Sequence, residues 1–245
     1  NDSTQTIING INLSANGGLM WFKPRNDGGN GHSWVDSARG NNAIYSNSSV
    51  GQDALRIGGG GAGSIALNTN GFSFNGSIFD NQGNINYGTS TNMVSWTFRK
   101  QPKFFDVVTY TGDGEVTKTI SHNLGSVPGC IIVKKTSNTS RWSVYHRSLT
   151  VGSLLKLNTT DAQEADNFMN GADAPTSTTF TAQRATSDGL NANGETYVAY
   201  LFAHDAGGFG TSNSDNVISC GSYTEVSGQA TVTLGYEPQW VLAKI

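Results

Sequence analysis

An apolar run closed by a lysine occurs three times in this chain at a nearly constant interval. Leu19-Met20-Trp21-Phe22-Lys23, Cys130-Ile131-Ile132-Val133-Lys134 and Trp240-Val241-Leu242-Ala243-Lys244 follow one another about 110 residues apart. Other elements recur in the same order. Phe105 to Thr111 returns as Ile218 to Thr224, Val94 to Phe98 as Val198 to Phe202, and Thr119-Ile120 as Thr231-Val232. Four elements repeating in one order describe a modular array. Such arrays more often build length, valency or a surface than an active site.

The apolar pattern within a copy is that of short strands. Met93 to Phe98, Phe105 to Thr111 and Thr196 to Phe202 are rich in β-formers and too short for helices. Gly112-Asp113-Gly114 marks a turn after the second of these, so Thr117 to Ser121 is expected to pair back as its hairpin partner. Ile131 to Lys135 reads as a core strand, followed by strands at Trp142 to Arg147, Ser153 to Leu157 and Ser177 to Ala182. About seven short strands per copy suit an all-β sandwich. A single short helix is predicted at Asp161 to Met169, with Asp161 as N-cap and Glu164 three residues on.

Joints fall at equivalent phases, Arg99 to Lys103 after one strand and the Gly/Ser/Asn/Asp-rich His204 to Asn216 after its counterpart. The expected division is 1–103 for a first module lacking its opening strand and 104–213 for a second. Residues 214–245 either start a third module or supply strands that complete the second. The chain thus starts and stops within a module and begins at Asn1 rather than Met. That reads as a processed chain, part of a longer product, or strands shared between modules.

Composition narrows the function classes. Charged residues are 13% of the chain, about half the usual share of roughly 25%. Gly alone counts 31, which favours turns and strands over helices. A net charge of −3 argues against electrostatic capture of nucleic acid, which needs a basic face. No apolar run approaches the roughly 18 residues of a helical membrane span, and no signal peptide is visible. Cys130 and Cys220 fall at different phases of the repeat, so two buried thiols are expected rather than a disulfide framework.

No motif points to catalysis. Gly58 to Gly63 is followed by Ser64-Ile65-Ala66, without the lysine and hydroxyl of a phosphate loop. His32, His122, His146 and His204 have no second ligand at metal spacing, so neither a metal nor another cofactor is expected. The glutamates are scattered (Glu115, Glu164, Glu195, Glu225 and Glu237), with no pair set for glycoside hydrolysis and no Gly-x-Ser-x-Gly elbow. The chain reads as non-enzymatic.

The most distinctive local run is His32 to Gly40, with Trp34, Asp36 and Arg39. Its counterpart, Arg141 to Leu149, holds Trp142, Tyr145 and His146. One reading puts both tryptophans in the core, as is usual in sandwiches, with an Asp36–Arg39 pair pinning a loop. The other makes them platforms for a sugar, ring against pyranose with polar groups on the hydroxyls. Under that reading the ligand-binding residues are Trp34, Asp36, Arg39, Trp142, Tyr145 and His146.

Gly18 to Lys23, Trp34 to Gly40, Asn70-Gly71-Phe72-Ser73-Phe74, Trp96 with Phe98, and Val108 to Gly114 together resemble the tandem concanavalin-like (LamG-like jelly-roll) modules of bacteriophage structural proteins. The second copy is similar at Pro128 to Lys134, Leu157 to Asp161, Pro175 to Phe180 and Gly194 to Phe202. The resemblance covers nearly the whole chain. It implies tandem jelly-roll sandwiches and a place on the virion surface, as a fibre or appendage displaying modules to a host. A capsid-decorating protein and a glycan-degrading depolymerase are the alternatives. Implied partners are further copies of the chain, other virion proteins and a host surface glycan. The second copy has His146-Arg147-Ser148 where the first has Asp36-Ser37-Ala38-Arg39-Gly40. The roles of Asp36 and Arg39 therefore need not be shared.

Overall fold

The computed structural model describes residues 4–58, 60–81, 83–86, 92–165, 174–184 and 189–244. Within them the chain is all-β, with several antiparallel sheets arranged as sandwiches. The strands are β1 (Gln5–Ile8), β2 (Gly18–Pro24), β3 (Ser33–Asp36), β4 (Asn42–Tyr45), β5 (Asp53–Ala54), β6 (Arg56–Ile57), β7 (Ile65–Asn68), β8 (Gly71–Phe74), β9 (Ile78–Asp80), β10 (Gly83–Asn86), β11 (Met93–Arg99), β12 (Phe105–Thr111), β13 (Thr117–Ser121), β14 (Pro128–Lys135), β15 (Trp142–His146), β16 (Ser153–Lys156), β17 (Glu164–Ala165), β18 (Thr179–Gln183) and β19 (Thr196–Ala203).

Two large sheets form the centre. One has the order β11-β2-β3-β4-β5, the other β12-β19-β14-β15-β16-β17. Two smaller sheets, β1-β8-β7 and β10-β9-β6, are packed on the first large sheet, and the β13-β18 ribbon is packed on the second. Alternation along each central strand decides what it touches. Met20 and Phe22 of β2 face Phe72, Phe74 and Ile78, while Leu19 and Trp21 face the other way. On β19, Tyr197, Ala199 and Leu201 meet Ile120 and Phe180, while Val198, Tyr200 and Phe202 face the first sheet. Both faces of these strands are buried, which is why β2, β14 and β19 are apolar almost throughout.

Between the two large sheets lies an aromatic core. Trp34 meets Trp142 at 5.1 Å and Tyr200 at 4.9 Å, and Phe98 meets Phe202 at 5.7 Å and Phe105 at 5.8 Å. Such pairs add about 0.5–1.5 kcal/mol each beyond the area they bury. Backbone and side-chain bonds reinforce the contact. The Trp142 indole donates to the carbonyls of Tyr45 and Ser48, both at 2.9 Å, and Lys134, fully buried, donates to Ser49 O at 3.1 Å.

Several expectations need correction. β13 pairs with β18 in the opposite layer and not with β12 as a hairpin, because its apolar Ile120 is needed against Phe180 there. Glu164–Ala165 is a strand at the edge of β16, not helix; Glu164 is drawn there by Arg141 at 3.1 Å and Lys156 at 3.0 Å. The rest of that predicted helix, 166–169, lies outside the described residues. Ile218 to Thr224 and Trp240 to Lys244 form no ladder. In the six-stranded sheet β19 separates β12 from β14, and no described strand plays that part between these two segments. The tail is instead held by single side chains. Trp240 packs on Phe98 at 5.2 Å and Trp21 at 6.0 Å, and Lys244 donates to Asp161 O at 3.0 Å, while Leu242 is 43% exposed.

The loop after β12 is stapled by Asp113. Its carboxylate accepts from Lys118 at 2.8 Å, from the Asn191 amide at 2.7 Å and from Glu115 N at 3.0 Å. These bonds hold its pKa down at about 2. The folded value is depressed, so the contribution to stability is present above the ordinary carboxylate range and is lost as pH falls from there through about 2. A carboxyl-carbon NMR titration is expected to place Asp113 near that value. A midpoint in the ordinary carboxylate range would mean the staple is open in solution.

Candidate functional site

The predicted site residues separate into two groups. Trp34 and Asp36 sit on β3, and the turn after it, where Gly40 takes a positive φ of 67°, folds Arg39 back over the strand end. The Arg39 guanidinium reaches Asp36 at 2.6 Å, Trp34 O at 3.0 Å and the Tyr200 hydroxyl at 3.3 Å. Tyr200 in turn donates to Asp36 Oδ2 at 2.7 Å, and the amides of Ala38 and Arg39 donate to Asp36 Oδ1, each at 3.0 Å. The side chain of Asp36 is completely buried and that of Arg39 is 3% exposed. Burial disfavours charge on Arg39, but Asp36 and Tyr200 outweigh it and raise its pKa. Burial, with Asp36 alongside, raises that of Tyr200 well above the ordinary phenol value. The network is a fixed ion pair closed by a neutral phenol, and it ties the two large sheets together.

Trp34 and Trp142 are 1% and 0% exposed, so neither ring offers a face to a dissolved sugar in this arrangement. They stand in different registers. Trp34 lies opposite Trp21, two residues before the closing Lys23, whereas Trp142 lies opposite the closing Lys134 itself. That offset brings the two rings edge to face across the sheets rather than to equivalent points of each.

Tyr145 and His146, on the far end of β15, are half-buried. Tyr145 lines a cleft of about 450 Å3 where the segments following β11 and β19 converge. Lys103 comes from the segment after β11 and His204 from the segment after β19, with Val127 and Pro128 at the entry to β14 and Arg147 just past the end of β15. The backbone is anchored at each point. Lys103, at φ 65°, donates its amide to Leu124 O at 2.6 Å, and Arg147 donates to Gly129 O at 2.9 Å. Gly129 has no room for a side chain, since a Cβ would lie 2.7 Å from His204 Cβ and 2.9 Å from Cys220 Sγ. Burial first, then Arg147 and His204, lower the pKa of His146.

A second cleft of about 310 Å3 lies at the opposite end of β19, between Arg39 and Gln52 on one side and Thr109, Thr111, Thr136 and Thr196 on the other. Lys103, Arg147 and His204 were not singled out as ligand residues. Lys103 and His204 fall in the two segments expected as joints, and Arg147 in the Arg141–Leu149 run, but they come together only through the fold.

Among the described residues no three of His, Cys, Asp and Glu come together as a metal site. Cys130 and Cys220 are unpaired thiols, and burial raises both, Cys220 to about 11 and Cys130 further. Thiolate is the reactive form. Alkylation at pH 8 is therefore expected to run at least about 100-fold slower in the native protein than in denaturant. Equal rates would show that this end of the molecule opens readily.

Residues 1–245 match the sequence profile of a family described as a domain of unknown function (DUF7483), and the chain belongs to that family. No curated protein and no solved structure matches it.

Proposed function

We propose that this DUF7483 chain is a non-enzymatic component of a bacteriophage virion, a fibre or appendage segment that presents binding modules to the host cell surface. The observation that carries the reading is the strand order of the two large sheets. β11-β2-β3-β4-β5 and, inside the additional edge strand β12, β19-β14-β15-β16-β17 follow the same course in chain order, each with its lysine-closed strand second in that run. This supports a tandem pair of jelly-roll-like sandwiches repeating at about 110 residues. In that scheme residues 1–103 are the first copy, 104–213 the second and 214–245 the opening of a third.

Face-to-face packing through the aromatic core makes a stiff unit. Stiff units in series give reach, and several weak sites in series give avidity without a deep pocket. β11, which pairs with no strand on its outer side among the described residues, and the exposed Tyr223, Val226 and Val232 of the tail favour self-association and contact with other virion proteins. Labelled antibody on intact particles is expected to mark the tail or its appendages at the virion surface. Label over the capsid shell would replace the reading with capsid decoration. Shortened chains after incubation with host envelope polysaccharide would replace it with a depolymerase.

A further inference from the structure

Most basic side chains in this molecule have a partner. Arg39 is held by Asp36, Arg56 by Asp53, Lys100 by Asp106, Lys118 by Asp113, Arg141 by Glu164, and Lys156 by both Asp161 and Glu164. Lys23, Lys134 and Lys244 end on backbone carbonyls. Among the described residues Lys103 and Arg147 have neither, as is also true of Arg25 and Lys135, but Lys103 and Arg147 share one cleft beside Tyr145. The chain as a whole is acidic by three charges, so two unanswered cations in one cleft run against its average. His204 joins them. Its Nδ1 accepts from Cys220 N at 3.1 Å, which leaves the ring proton on Nε2 as a further donor. The neighbouring Asp205 accepts from the Ser219 hydroxyl, and its Oδ2 lies 3.5 Å from His204 Nδ1.

We propose that this cleft binds an acidic sugar unit of a surface polysaccharide, its carboxylate or sulfate taken by Arg147 and Lys103. The proposal rests on the host-surface reading and names the ligand class. The chemistry matches on each side. A guanidinium takes a carboxylate or sulfate in a forked pair, while an ammonium serves as a point charge. Val127, 54% exposed, together with Pro128, Ala206 and Tyr145, offers an apolar wall for the C–H face of the ring. The volume of about 450 Å3 is within the range of sites that enclose a small ligand. Position also fits, because the cleft is built at a joint between copies and would recur along an array.

The test is titration calorimetry at physiological ionic strength. The probes are a short polyuronate, a sulfated oligosaccharide, a neutral oligosaccharide of equal length and sodium sulfate. The proteins are the wild type, Arg147→Gln, Lys103→Gln, the double variant, and Arg25→Gln as an exposed control outside the cleft. Binding of at least one acidic oligosaccharide but not the neutral one is expected. A loss of at least about 10-fold is expected in the double variant, with no change in Arg25→Gln. The two acidic probes separate carboxylate from sulfate as the group recognised. Both exchanged side chains are exposed, and an unchanged unfolding midpoint will show that the fold is kept. Neutral-sugar binding that survives the double substitution would overturn the cleft and leave the host-surface reading standing. Binding of sulfate alone, or of no oligosaccharide, would also overturn the cleft, while the particle label judges the host-surface reading separately.

Discussion

Trp142→Ala is expected to destabilise the protein by about 3–5 kcal/mol. The ring is fully buried and fills the space between the two large sheets, edge to face with Trp34 and stacked against Tyr200 at 6.5 Å. Its removal leaves a cavity that the flanking sheets cannot close without shifting toward each other and disturbing the rest of the core. It also strips the carbonyls of Tyr45 and Ser48 of the indole donor, a further loss for buried acceptors. Urea unfolding followed by circular dichroism would measure the change. Trp240→Ala, at a partly buried ring on the margin of the same core, is the comparison and is expected to cost less than half as much. Similar small losses for both would mean that the two sheets do not pack together in solution.

Asp36→Ala carries the second large effect, about 3–5 kcal/mol, by a different mechanism. It leaves the Arg39 guanidinium buried without a counter-charge, the Tyr200 hydroxyl without its acceptor, and two backbone amides unpaired. An uncompensated buried charge is costlier than the loss of the whole pair. The double variant Asp36→Leu with Arg39→Met should therefore recover part of the stability, with a coupling of at least about 1 kcal/mol in a double-mutant cycle. Additive losses would contradict the network. A sugar site at these residues would predict intact folding and altered glycan binding in Asp36→Ala, so the same protein separates the two roles.

Much of the local structure was legible from the chain. Phe105–Thr111 and Thr117–Ser121 are strands with the bounds that β-propensity and the Gly112-Asp113-Gly114 turn indicate. The strand at Met93–Arg99 extends its expected range by one residue. The pairing of Thr117–Ser121 was not legible. A turn signal between two strands favours a hairpin, but layer packing outweighed that local preference once Ile120 had an apolar partner on β18. At the candidate site, Asp36 and Arg39 could be seen as partners from their spacing. Tyr200, 164 residues from Asp36, could not. Lys103, Arg147 and His204 likewise come from separate loops, and nothing in their local sequence says that they share a cleft.

The sequence by itself determined the all-β class and the positions of most strands between Met93 and Ala203, because these depend on local propensity. It could not determine what each face of a strand meets. In β2, β14 and β19 almost every position is apolar, since both faces are buried, and a continuous apolar run does not distinguish one core from another. Only the tertiary structure decided that the faces carrying Trp34 and Trp142 close on each other. That choice withdraws both rings and the Asp36–Arg39 pair from solvent. The cleft holding Lys103, Arg147 and His204 is left at one end of the second sheet.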